Sequence, residues 1–455
     1  MTPPAGGPAS APPVPPAVPS TASAAHASLG TGQAPPPAAM HAAMSAPPES
    51  LPAFARANAA WLGAGALMTF ASSFGQTFFI ALFAGGIMGD FGLSHGQWGL
   101  IYTLGTLGSA AAMLWAGALA DRFRAGRLTA AILLAFAAVC LGAALVPTPW
   151  ALVLVIFGLR FCGQGMLYHV AIVSMGRWFA RARGRAVAIA NLGIAAGEGL
   201  LPVAFAALIL GLGWRGAWGV AAVLLLLMAP LAPWLLRRER TPRSRVEADE
   251  TPGLCGRHWT RAEALRHWLF WTTLPAFLVA PVFSTAYFFH QVHLTQVKGW
   301  DFMSFAALYP LYVAGAIPMR FLAGGAIDRW GVGRVAPVWP GLLAAGMAVA
   351  ASFDGLWAAA LAFALLGTMQ GTGAAISGAW WPDRYGTRRL GAIRSMAVSA
   401  MVFATAIGPG ITGGLLDLGV GFERQLAGMA AIAAAMAALF ALADRRARRE
   451  AAAPA

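Results

Sequence analysis

Residues 315–334 read GAIPMRFLAGGAIDRWGVGR, an apolar helix end that runs into a glycine-rich turn. The stretch carries the spacing G-x8-G-x3-D-R, which places an acidic and a basic residue where the apolar run ends. The same spacing occurs earlier, in GSAAAMLWAGALADRFRAGR, and the two copies lie 207 positions apart. The spaced residues are Gly108, Gly117, Asp121 and Arg122 in the first copy, and Gly315, Gly324, Asp328 and Arg329 in the second. A motif duplicated at this distance predicts a protein built as two similar halves.

The composition is that of an integral membrane protein. Of the 455 residues, 58% are hydrophobic and 11% are charged, whereas about 25% of the residues of a soluble domain are charged. The net charge of +14 does not indicate nucleic acid binding, because the arginines stand in short clusters between apolar runs. The three cysteines, Cys140, Cys162 and Cys255, have neither metal nor disulfide spacing. We therefore expect the lipid bilayer as a partner, and neither a metal nor a cofactor.

Twelve apolar runs follow one another from Trp61 onward, each of the length that crosses a bilayer. They cover residues 60–84, 97–120, 128–146, 151–175, 186–210, 217–236, 267–291, 303–325, 335–353, 356–380, 392–415 and 425–443. The fold class predicted is an all-α membrane protein with two pseudo-symmetric six-helix bundles, over 56–236 and 267–444. The remaining segments are a Pro- and Ala-rich tail predicted to be disordered (1–55), a linker (237–266) and a C-terminal tail (445–455).

The placement of basic residues predicts the orientation in the membrane. Arginine clusters follow the even-numbered runs, fill the linker and recur in the C-terminal tail, whereas the opposite side holds only Arg215, Lys298 and Arg424. Short loops rich in Lys and Arg stay in the cytoplasm. We therefore expect both termini and the linker to be cytoplasmic in a cell inner membrane. A repeated W-x-x-R, at Trp178 and again at Trp381, suggests interfacial tryptophans with arginines that face headgroups.

The second copy of the motif resembles the signature loop of the major facilitator superfamily. It fits the pattern D-R-x-G-x-x-R at Asp328, Arg329, Gly331 and Arg334, whereas the first copy has Arg124 where glycine is usual. The resemblance implies two bundles that rock around a central site, with the motif residues at the cytoplasmic gate. Those residues are Gly117, Asp121, Arg122, Gly324, Asp328, Arg329, Gly331 and Arg334. A looser similarity to the monocarboxylate and oxalate/formate porters is carried by the stretches WFARARGRAVAIANLGIAAG (178–197) and RFLAGGAIDRWG (320–331).

Polar residues indicate which runs line a path for solute. Runs 3, 6, 9 and 12 are almost bare of them and are predicted to face lipid, while the other eight carry polar stripes at helical spacing. Isolated Ser and Thr hydroxyls in such runs usually bond their own i−4 carbonyl, so they are weak candidates. The candidate substrate contacts with larger polar groups are Gln76, Gln164, Tyr287, Tyr309 and Gln370.

Three charges inside the runs are stronger candidates. A charge at mid-helix costs about 2.5–3.5 kcal/mol on insertion scales, so it needs a partner or a watery cavity. Arg160 and Glu198 lie in neighbouring runs and can form a structural ion pair; alternatively, Arg160 binds an anion and Glu198 carries a proton. Arg320 lies in the opposite half, where it can pair with a neighbouring helix or hold a carboxylate. The hypothesis is a monomeric secondary transporter of a small organic anion.

Other classes of function lack their sequence patterns. A G-x-x-x-x-G-K-[ST] loop for ATP is absent, and so are motifs such as HExxH or GxSxG, so we expect no enzyme. The rival within transport is proton-coupled efflux of drugs, or transport of a neutral solute. Run 11 contains GPGITGG (408–414), which is similar to a motif that the superfamily's antiporters carry in run 5. Because its place in the chain differs, we do not assign a drug/proton antiporter.

Overall fold

The computed structural model describes residues 50–179, 182–237 and 252–452. The chain divides into two compact units, Met1–Phe54 and Ala55–Ala455. Residues 1–49 of the predicted N-terminal tail, Arg181 of the first W-x-x-R, residues 238–251 of the linker and residues 453–455 lie outside the described residues. The division into tail, two bundles and linker stays a prediction.

The described residues are helical throughout, with no β-strand among them. In the first part of the chain the α-helices are α1 (Leu51–Ala57), α2 (Ala59–Ser72), α3 (Thr77–Ile80), α4 (Ala84–Phe91), α5 (His95–Ala116), α6 (Leu119–Arg122), α7 (Ala125–Leu145), α8 (Ala151–Leu159), α9 (Tyr168–Trp178), α10 (Arg183–Ala190), α11 (Leu192–Met228) and α12 (Leu231–Leu235). Short 3-10 helices at Ser73–Gly75 and Ala81–Phe83 join α2 to α4, and a π-helix at Arg160–Leu167 joins α8 to α9. We call residues 59–235 the N-terminal half.

The C-terminal half, residues 268–450, repeats the pattern of long apolar helices. After a 3-10 turn at Leu254–Gly256, the helices are α13 (Arg261–Arg266), α14 (Trp268–Phe289), α15 (Gln291–Lys298), α16 (Phe302–Ala306), α17 (Tyr309–Trp330), α18 (Val332–Val335), α19 (Val338–Ser352), α20 (Leu356–Tyr385), α21 (Leu390–Asp417) and α22 (Phe422–Ala452). Within this half α17 packs along α20, and α19 packs against both α20 and α22.

The helices confirm a membrane-spanning α-helical fold. Ten helical segments are long and apolar enough to cross a bilayer, and a pair bent by 45°, Ala59–Gly75 with Thr77–Phe91, would make eleven. One segment, Arg183–Leu235, has 53 residues and covers two predicted runs. Its backbone leaves the helical region at Gly213, with φ 68° and ψ 170°. A straight helix of that length would extend about 80 Å, far beyond a hydrocarbon core of about 30 Å. The count of twelve crossings stays a prediction.

Small residues set the helix contacts, although not at every glycine of the motif. A Cβ added to Gly315 would lie 2.9 Å from the carbonyl oxygen of Ala364, so α17 and α20 approach at backbone distance there. By contrast, a Cβ on Gly324 would meet nothing within 4 Å. Of the two spaced glycines in this copy of the motif, only Gly315 therefore serves close helix packing, while Gly324 faces open space. Buried hydroxyls follow the expected rule: Thr273 bonds the carbonyl of Leu269 at 2.8 Å.

The two halves meet at the end of the molecule opposite the duplicated motif. We call the end that carries Asp121 and Asp328 the motif end, and the other the distal end. At the distal end α5 packs along α21, where the Asp417 carboxylate accepts hydrogen bonds from the Ser94 hydroxyl (2.6 Å) and the Gly96 amide (2.9 Å). The Thr103 hydroxyl donates to the carbonyl of Ala406 at 2.8 Å, farther along the same pair. We call this packing of α5 against α21, together with these hydrogen bonds, the distal contact.

The orientation can be tested by cysteine labelling. In a background without the native cysteines, single cysteines at Leu212 and Val297 mark the distal end, and cysteines at Arg261 and Arg445 mark the motif end; all four positions are exposed. Because the arginine clusters predict a cytoplasmic motif end, an impermeant maleimide added to intact cells should label only the first pair. Labelling of Arg261→Cys before the cells are permeabilised would reverse the assignment.

Candidate functional site

A cavity of about 350 Å³ lies between the two halves, on the motif side of the distal contact. Its wall combines α3 and the π-helix of the N-terminal half with α14, α17, α20 and α21 of the C-terminal half. On α21, for example, the cavity-lining Met401 and Thr405 precede Ala406 and Asp417 of the distal contact. A solute in this cavity would therefore touch both halves at once.

The structure brings most of the predicted site residues together. Gln76, Arg160, Gln164, Glu198, Tyr309 and Gln370 all line the cavity. Tyr287 does not: its side chain is fully buried, packs against Phe288 and Phe363, and its hydroxyl has no hydrogen-bond partner among the described residues. Arg320 does not line the cavity either, although it belongs to a charge cluster beside it. The roles of all eight residues stay predictions.

The first membrane helix of the N-terminal half breaks inside the molecule. After the 3-10 turn at Ser73–Gly75, Gln76 adopts an extended conformation (φ −85°, ψ 154°) and α3 begins at the next residue. A Cβ on Gly75 would lie 2.8 Å from Cα of Gly163, so this break is in backbone contact with the π-helix. Two irregular segments therefore cross at the cavity wall, which is where non-helical backbone is tolerated in a membrane protein.

Arg160 holds this crossing together. Its guanidinium is buried (4% exposed) and donates hydrogen bonds to the carbonyl of Gly75 (3.2 Å) and the hydroxyl of Thr77 (3.4 Å). That hydroxyl is also hydrogen-bonded to Tyr102 at 2.6 Å, and the guanidinium lies 5.5 Å from the centre of the Tyr102 ring. Among the described residues no ion pair joins Arg160 to Glu198. The predicted pair is therefore wrong, because the arginine is instead directed to the freed backbone of the broken helix.

Glu198 faces a charge from the other half instead. Arg320 on α17 lies within electrostatic range of Glu198 on α11 and of Tyr168 on α9. Arg394, near the start of α21, also interacts with Tyr168. Arg394 is not among the site residues predicted from the sequence, although its position two residues inside a predicted run marks it as a candidate. Tyr168 therefore lies within electrostatic range of Glu198 of its own half and of two arginines of the C-terminal half, of which Arg320 also acts on Glu198.

The cavity wall also contains large apolar groups that the search for polar residues missed. Phe78, Phe288, Trp339, Met369 and Met401 all line it. Trp339 belongs to run 9, which was predicted to face lipid, but its indole N–H donates to the sulfur of Met369 at 3.2 Å. A run with almost no polar residues can thus still direct one large side chain into the cavity wall. Hydropathy alone could not assign that residue to the cavity.

A buried amide connects the cavity to the distal end. The Tyr309 hydroxyl, on the cavity wall, donates to Oε1 of Gln291 at 2.6 Å. Nε2 of Gln291 in turn donates to the carbonyl of Phe78, in the N-terminal half, at 2.9 Å. Both hydrogen bonds are buried, so this chain ties the C-terminal half to the segment just after the break at Gln76.

The two copies of the motif have different surroundings. In the first, Asp121 forms an ion pair with Arg177, which also donates to the carbonyl of Ala120 at 3.0 Å. In the second, Asp328 is exposed and has no hydrogen bond or ion pair within the described part of the chain. The guanidinium of Arg329 lies 5.7 Å from the ring centre of Trp330. The remaining motif arginines, Arg122 and Arg334, are exposed, and the chain turns at Gly331 with a positive φ of 81°.

The second W-x-x-R does not face lipid headgroups. Trp381 and Arg384 are both buried, and Arg384 forms an ion pair with Asp444 at 2.5 Å. The guanidinium also lies 4.7 Å from the ring centre of Trp380. A Cβ on Gly333, in the motif loop, would collide with both members of the ion pair. The interfacial interpretation is therefore wrong for this copy: the arginine and Asp444 instead support the turn after α17.

A helical membrane fold with a cavity enclosed between two similar halves is typical of secondary transporters. A family model described as Major Facilitator Superfamily matches residues 65–339, which is more than half of the chain. The chain belongs to the Major Facilitator Superfamily, whose members move small solutes across membranes. This confirms the resemblance carried by the duplicated motif, while the looser link to carboxylate porters stays a prediction.

Individual similar proteins agree with the family at the level of the fold. The chain is 30% identical over 233 residues to the "Uncharacterized 38 kDa protein in 23S RNA operon" of Thermoproteus tenax. That match covers 50% of this chain and 56% of the relative, so the chain spans about half the length of the curated relative it matches. Among solved structures, a bacterial homologue of the human lysosomal transporter Spinster, inward-facing and unoccupied, has a TM-score of 0.64 at 18% identity and covers 88% of this chain and 99% of its own. The nucleoside transporter NupG has a TM-score of 0.63 at 12% identity, over 84% and 98% of the two chains.

The exposed Asp328 gives a test of the predicted gate. Asp328→Asn should lower transport about fivefold or more, because loss of 1 kcal/mol or more of conformational bias has that effect. Its melting temperature should not change, since the carboxylate has no described partner to lose in this state. The measurement compares uptake into proteoliposomes with thermal unfolding in detergent. Glu450→Gln, which changes another acid at the motif end outside the motif, is the control. Normal uptake by Asp328→Asn would remove the gating role.

Proposed function

We propose that this protein is a secondary active transporter of a small organic anion, a carboxylate, and that it works by alternating access. The observation that carries the proposal is Arg160: a buried guanidinium on the cavity wall whose described hydrogen bonds go only to neutral oxygens. Leaving a buried positive charge without a counter-charge is costly. A carboxylate in the cavity would supply that counter-charge.

The second charge cluster fits the same proposal. Arg320 brings a positive charge within range of Glu198, and both it and Arg394 act on the neighbouring Tyr168. Arginine can hold a carboxylate through two parallel hydrogen bonds, which lysine cannot reproduce. The amides of Gln76, Gln164 and Gln370 on the wall provide neutral donors for the rest of the solute, while the Tyr309 hydroxyl, which donates to Gln291, can still accept a hydrogen bond. Tyr287 would act only through packing, since it does not reach the cavity.

The position of the cavity supports a transport cycle. The halves are joined at the distal end, and the cavity lies on the motif side of that contact, which supports a state with access from the motif side. If that side is cytoplasmic, as the arginine clusters predict, the state is inward-facing. To complete a cycle, the distal contact opens while the loops with Asp121 and Asp328 close the other end. We propose a monomer in the cell inner membrane for this cycle.

A second candidate function is proton-coupled transport of an apolar or neutral solute, including drug efflux. The observation that favours it is the wall formed by Phe78, Phe288, Trp339, Met369 and Met401. Aromatic and thioether side chains contact apolar solutes with little regard to their polar groups. The two proposals differ in whether the arginines contribute to affinity, so binding to arginine variants separates them.

The anion proposal predicts the effect of removing charge. Arg160→Gln should weaken binding of a carboxylate by about 30-fold or more, because truncating a buried charged partner costs about 2 kcal/mol or more. Arg320→Gln should weaken binding to a smaller extent, since Arg320 is half-buried and acts from beside the cavity. Arg320→Lys should weaken binding as well. Purified protein would first be screened by thermal shift against carboxylates, sugars, vitamins and drugs, and the affinity for the hit measured by calorimetry. Arg424→Gln, which changes an exposed arginine at the distal end, is the matched control.

Two outcomes of that experiment would contradict the anion proposal. Unchanged affinity in both Arg160→Gln and Arg320→Gln would favour the neutral or apolar solute. A wild-type protein stabilised only by uncharged compounds would do the same. Because Arg160 also bonds the carbonyl of Gly75, each variant is first checked for its melting temperature, and Arg320→Gln decides the result if Arg160→Gln unfolds.

Glu198 is proposed to carry the coupling proton, because it is the carboxylate that faces Arg320 at the cavity. Glu198→Gln imitates the protonated form. It should keep exchange of solute across the membrane within about threefold, because the step that moves solute remains possible, but lose accumulation driven by a pH gradient. Proteoliposomes with and without a gradient measure the two activities. Accumulation by Glu198→Gln at the wild-type level would show that the proton binds elsewhere or that coupling uses exchange of anions.

A further inference from the structure

Three histidines lie at the interface between the two halves at the distal end. His95 belongs to α5 of the N-terminal half. In the C-terminal half, His290 lies between α14 and α15, and His293 lies in α15. The ring centres of His95 and His293 are 4.2 Å apart, and those of His95 and His290 are 6.0 Å apart. We call these three residues the histidine seam.

The surroundings of the seam suit neutral imidazoles. His290 is 2% exposed, and its Nε2–H donates to the carbonyl of Pro409 at 3.2 Å. Phe422 lies against both His290 and His293, with ring centres 5.6 and 6.2 Å away. Positive charges on His95 and His293 would repel each other at this spacing, and burial would add a desolvation cost. The closed distal end therefore favours the neutral form of these imidazoles.

The charged groups on the elements packed around the seam do not remove that effect. Asp417 on α21 is a carboxylate within electrostatic range of His95. Its Oδ2 already accepts hydrogen bonds from the Ser94 hydroxyl and the Gly96 amide. Lys298 on α15 forms ion pairs with Asp354, just before α20 (2.6 Å), and with Glu423 on α22 (2.5 Å). Asp90 on α4 pairs with Arg215. Lys298 and Asp90 each form an ion pair outside the seam, whereas the hydrogen bonds that Asp417 accepts come from neutral groups.

A second cavity, of about 310 Å³, borders His95, His290 and His293 together with Met88 and Gln296. It lies at the distal end and is separate from the central cavity, with which it shares no lining residue. Protons from the distal side can therefore reach the imidazoles once the halves begin to separate.

We propose that the histidine seam is a proton-sensitive closure: acid on the distal side protonates it and shifts the protein toward the state in which the distal end is open. Burial and the neighbouring His95 hold the pKa of His293 at about 4, below its ordinary value. In water the ring returns toward a pKa of about 6.5. The open state then binds protons more tightly, so it gains stability over the closed state as the pH falls from about 6.5 toward 4.

The inference rests on the alternating access proposed above, but not on the nature of the solute. It assigns the distal histidines a role in the conformational equilibrium that differs from proton coupling at Glu198. On this assignment, an acidic distal side would raise the fraction of protein ready to accept solute from that side, even before Glu198 is protonated.

A distance measurement across the distal end tests the proposal without any substrate. In a background without native cysteines, Leu212→Cys and Leu418→Cys place spin labels on exposed positions of opposite halves. Double electron–electron resonance in lipid nanodiscs between pH 8 and 5.5 reports the distance between them. The ratio of the long-distance to the short-distance population should rise roughly tenfold or more in wild type, since one proton contributes up to about tenfold per pH unit.

Variants assign the response to particular groups. His95→Gln with His293→Gln should lower the pH response at least about threefold, because the uncharged amides cannot titrate and only His290 of the seam keeps its imidazole. His169→Gln is the matched control, since His169 bonds the carbonyl of Gly117 within the N-terminal half, away from the seam. His293→Gln alone serves if the double variant fails to fold. Asp417→Asn tests whether a carboxylate responds instead.

Three results would overturn the proposal: a wild-type distance distribution that does not change with pH, a full pH response in the double histidine variant, or a response that only Asp417→Asn removes. These results are distinct from failure of the proposed function. If the distances respond to pH as expected but no carboxylate binds, the anion proposal falls while the histidine closure stands.

Discussion

The break in the first membrane helix at Gln76 is the constraint on which the cavity depends. An extended residue inside the bilayer frees backbone groups that lipid cannot satisfy, and each unsatisfied group costs several kcal/mol. Arg160 satisfies one of these groups by donating a hydrogen bond to the carbonyl of Gly75. Gln291 satisfies another by donating a hydrogen bond to the carbonyl of Phe78. One of these donors belongs to the same half as the break and the other to the opposite half. In this state the irregular segment thus receives hydrogen bonds from both halves, which ties the local structure of the cavity wall to the relative position of the halves.

The duplicated motif shows how two similar halves come to differ. In the first copy the aspartate pairs with Arg177 on the surface, whereas in the second the supporting ion pair is the buried one between Arg384 and Asp444. The two copies share the spacing of the motif, but the ion pair that supports each loop is different. Surface pairs contribute little, at about 0–1 kcal/mol, while breaking a buried pair leaves an uncompensated charge. The first loop is therefore the one whose ion pair can be exchanged at low cost during a cycle, and the second is the more firmly anchored.

The sequence predicted the class of fold and six of the polar or charged residues of the cavity wall, because hydropathy and polar stripes depend on local spacing. It could not predict which charges meet. Arg160 and Glu198 lie in neighbouring runs, and chain proximity suggested a pair, yet Arg160 is directed to a broken helix that no propensity revealed. Glu198 faces Arg320 across the two halves, a contact set by long-range packing. Tyr287 was placed in the site by its stripe, but a helical stripe does not tell a cavity face from a face packed on Phe363.

The glycine-rich string of α21 is explained by this packing rather than by its likeness to an antiporter motif. A Cβ on Gly99 of α5 would lie 2.6 Å from the carbonyl oxygen of Pro409, and one on Gly410 would lie 2.8 Å from the hydroxyl of Thr103. Glycines here let the two halves meet backbone to backbone, so the distal contact is narrow, close-packed and built with few long side chains. Such a contact loses little side-chain entropy when it forms. The polar and ionisable groups at its rim, the carboxylate of Asp417 and the histidines beside it, then form a large part of its side-chain contacts. A contact of this kind suits the proposed closure, because a change in the charge of a few groups alters a large share of its interactions.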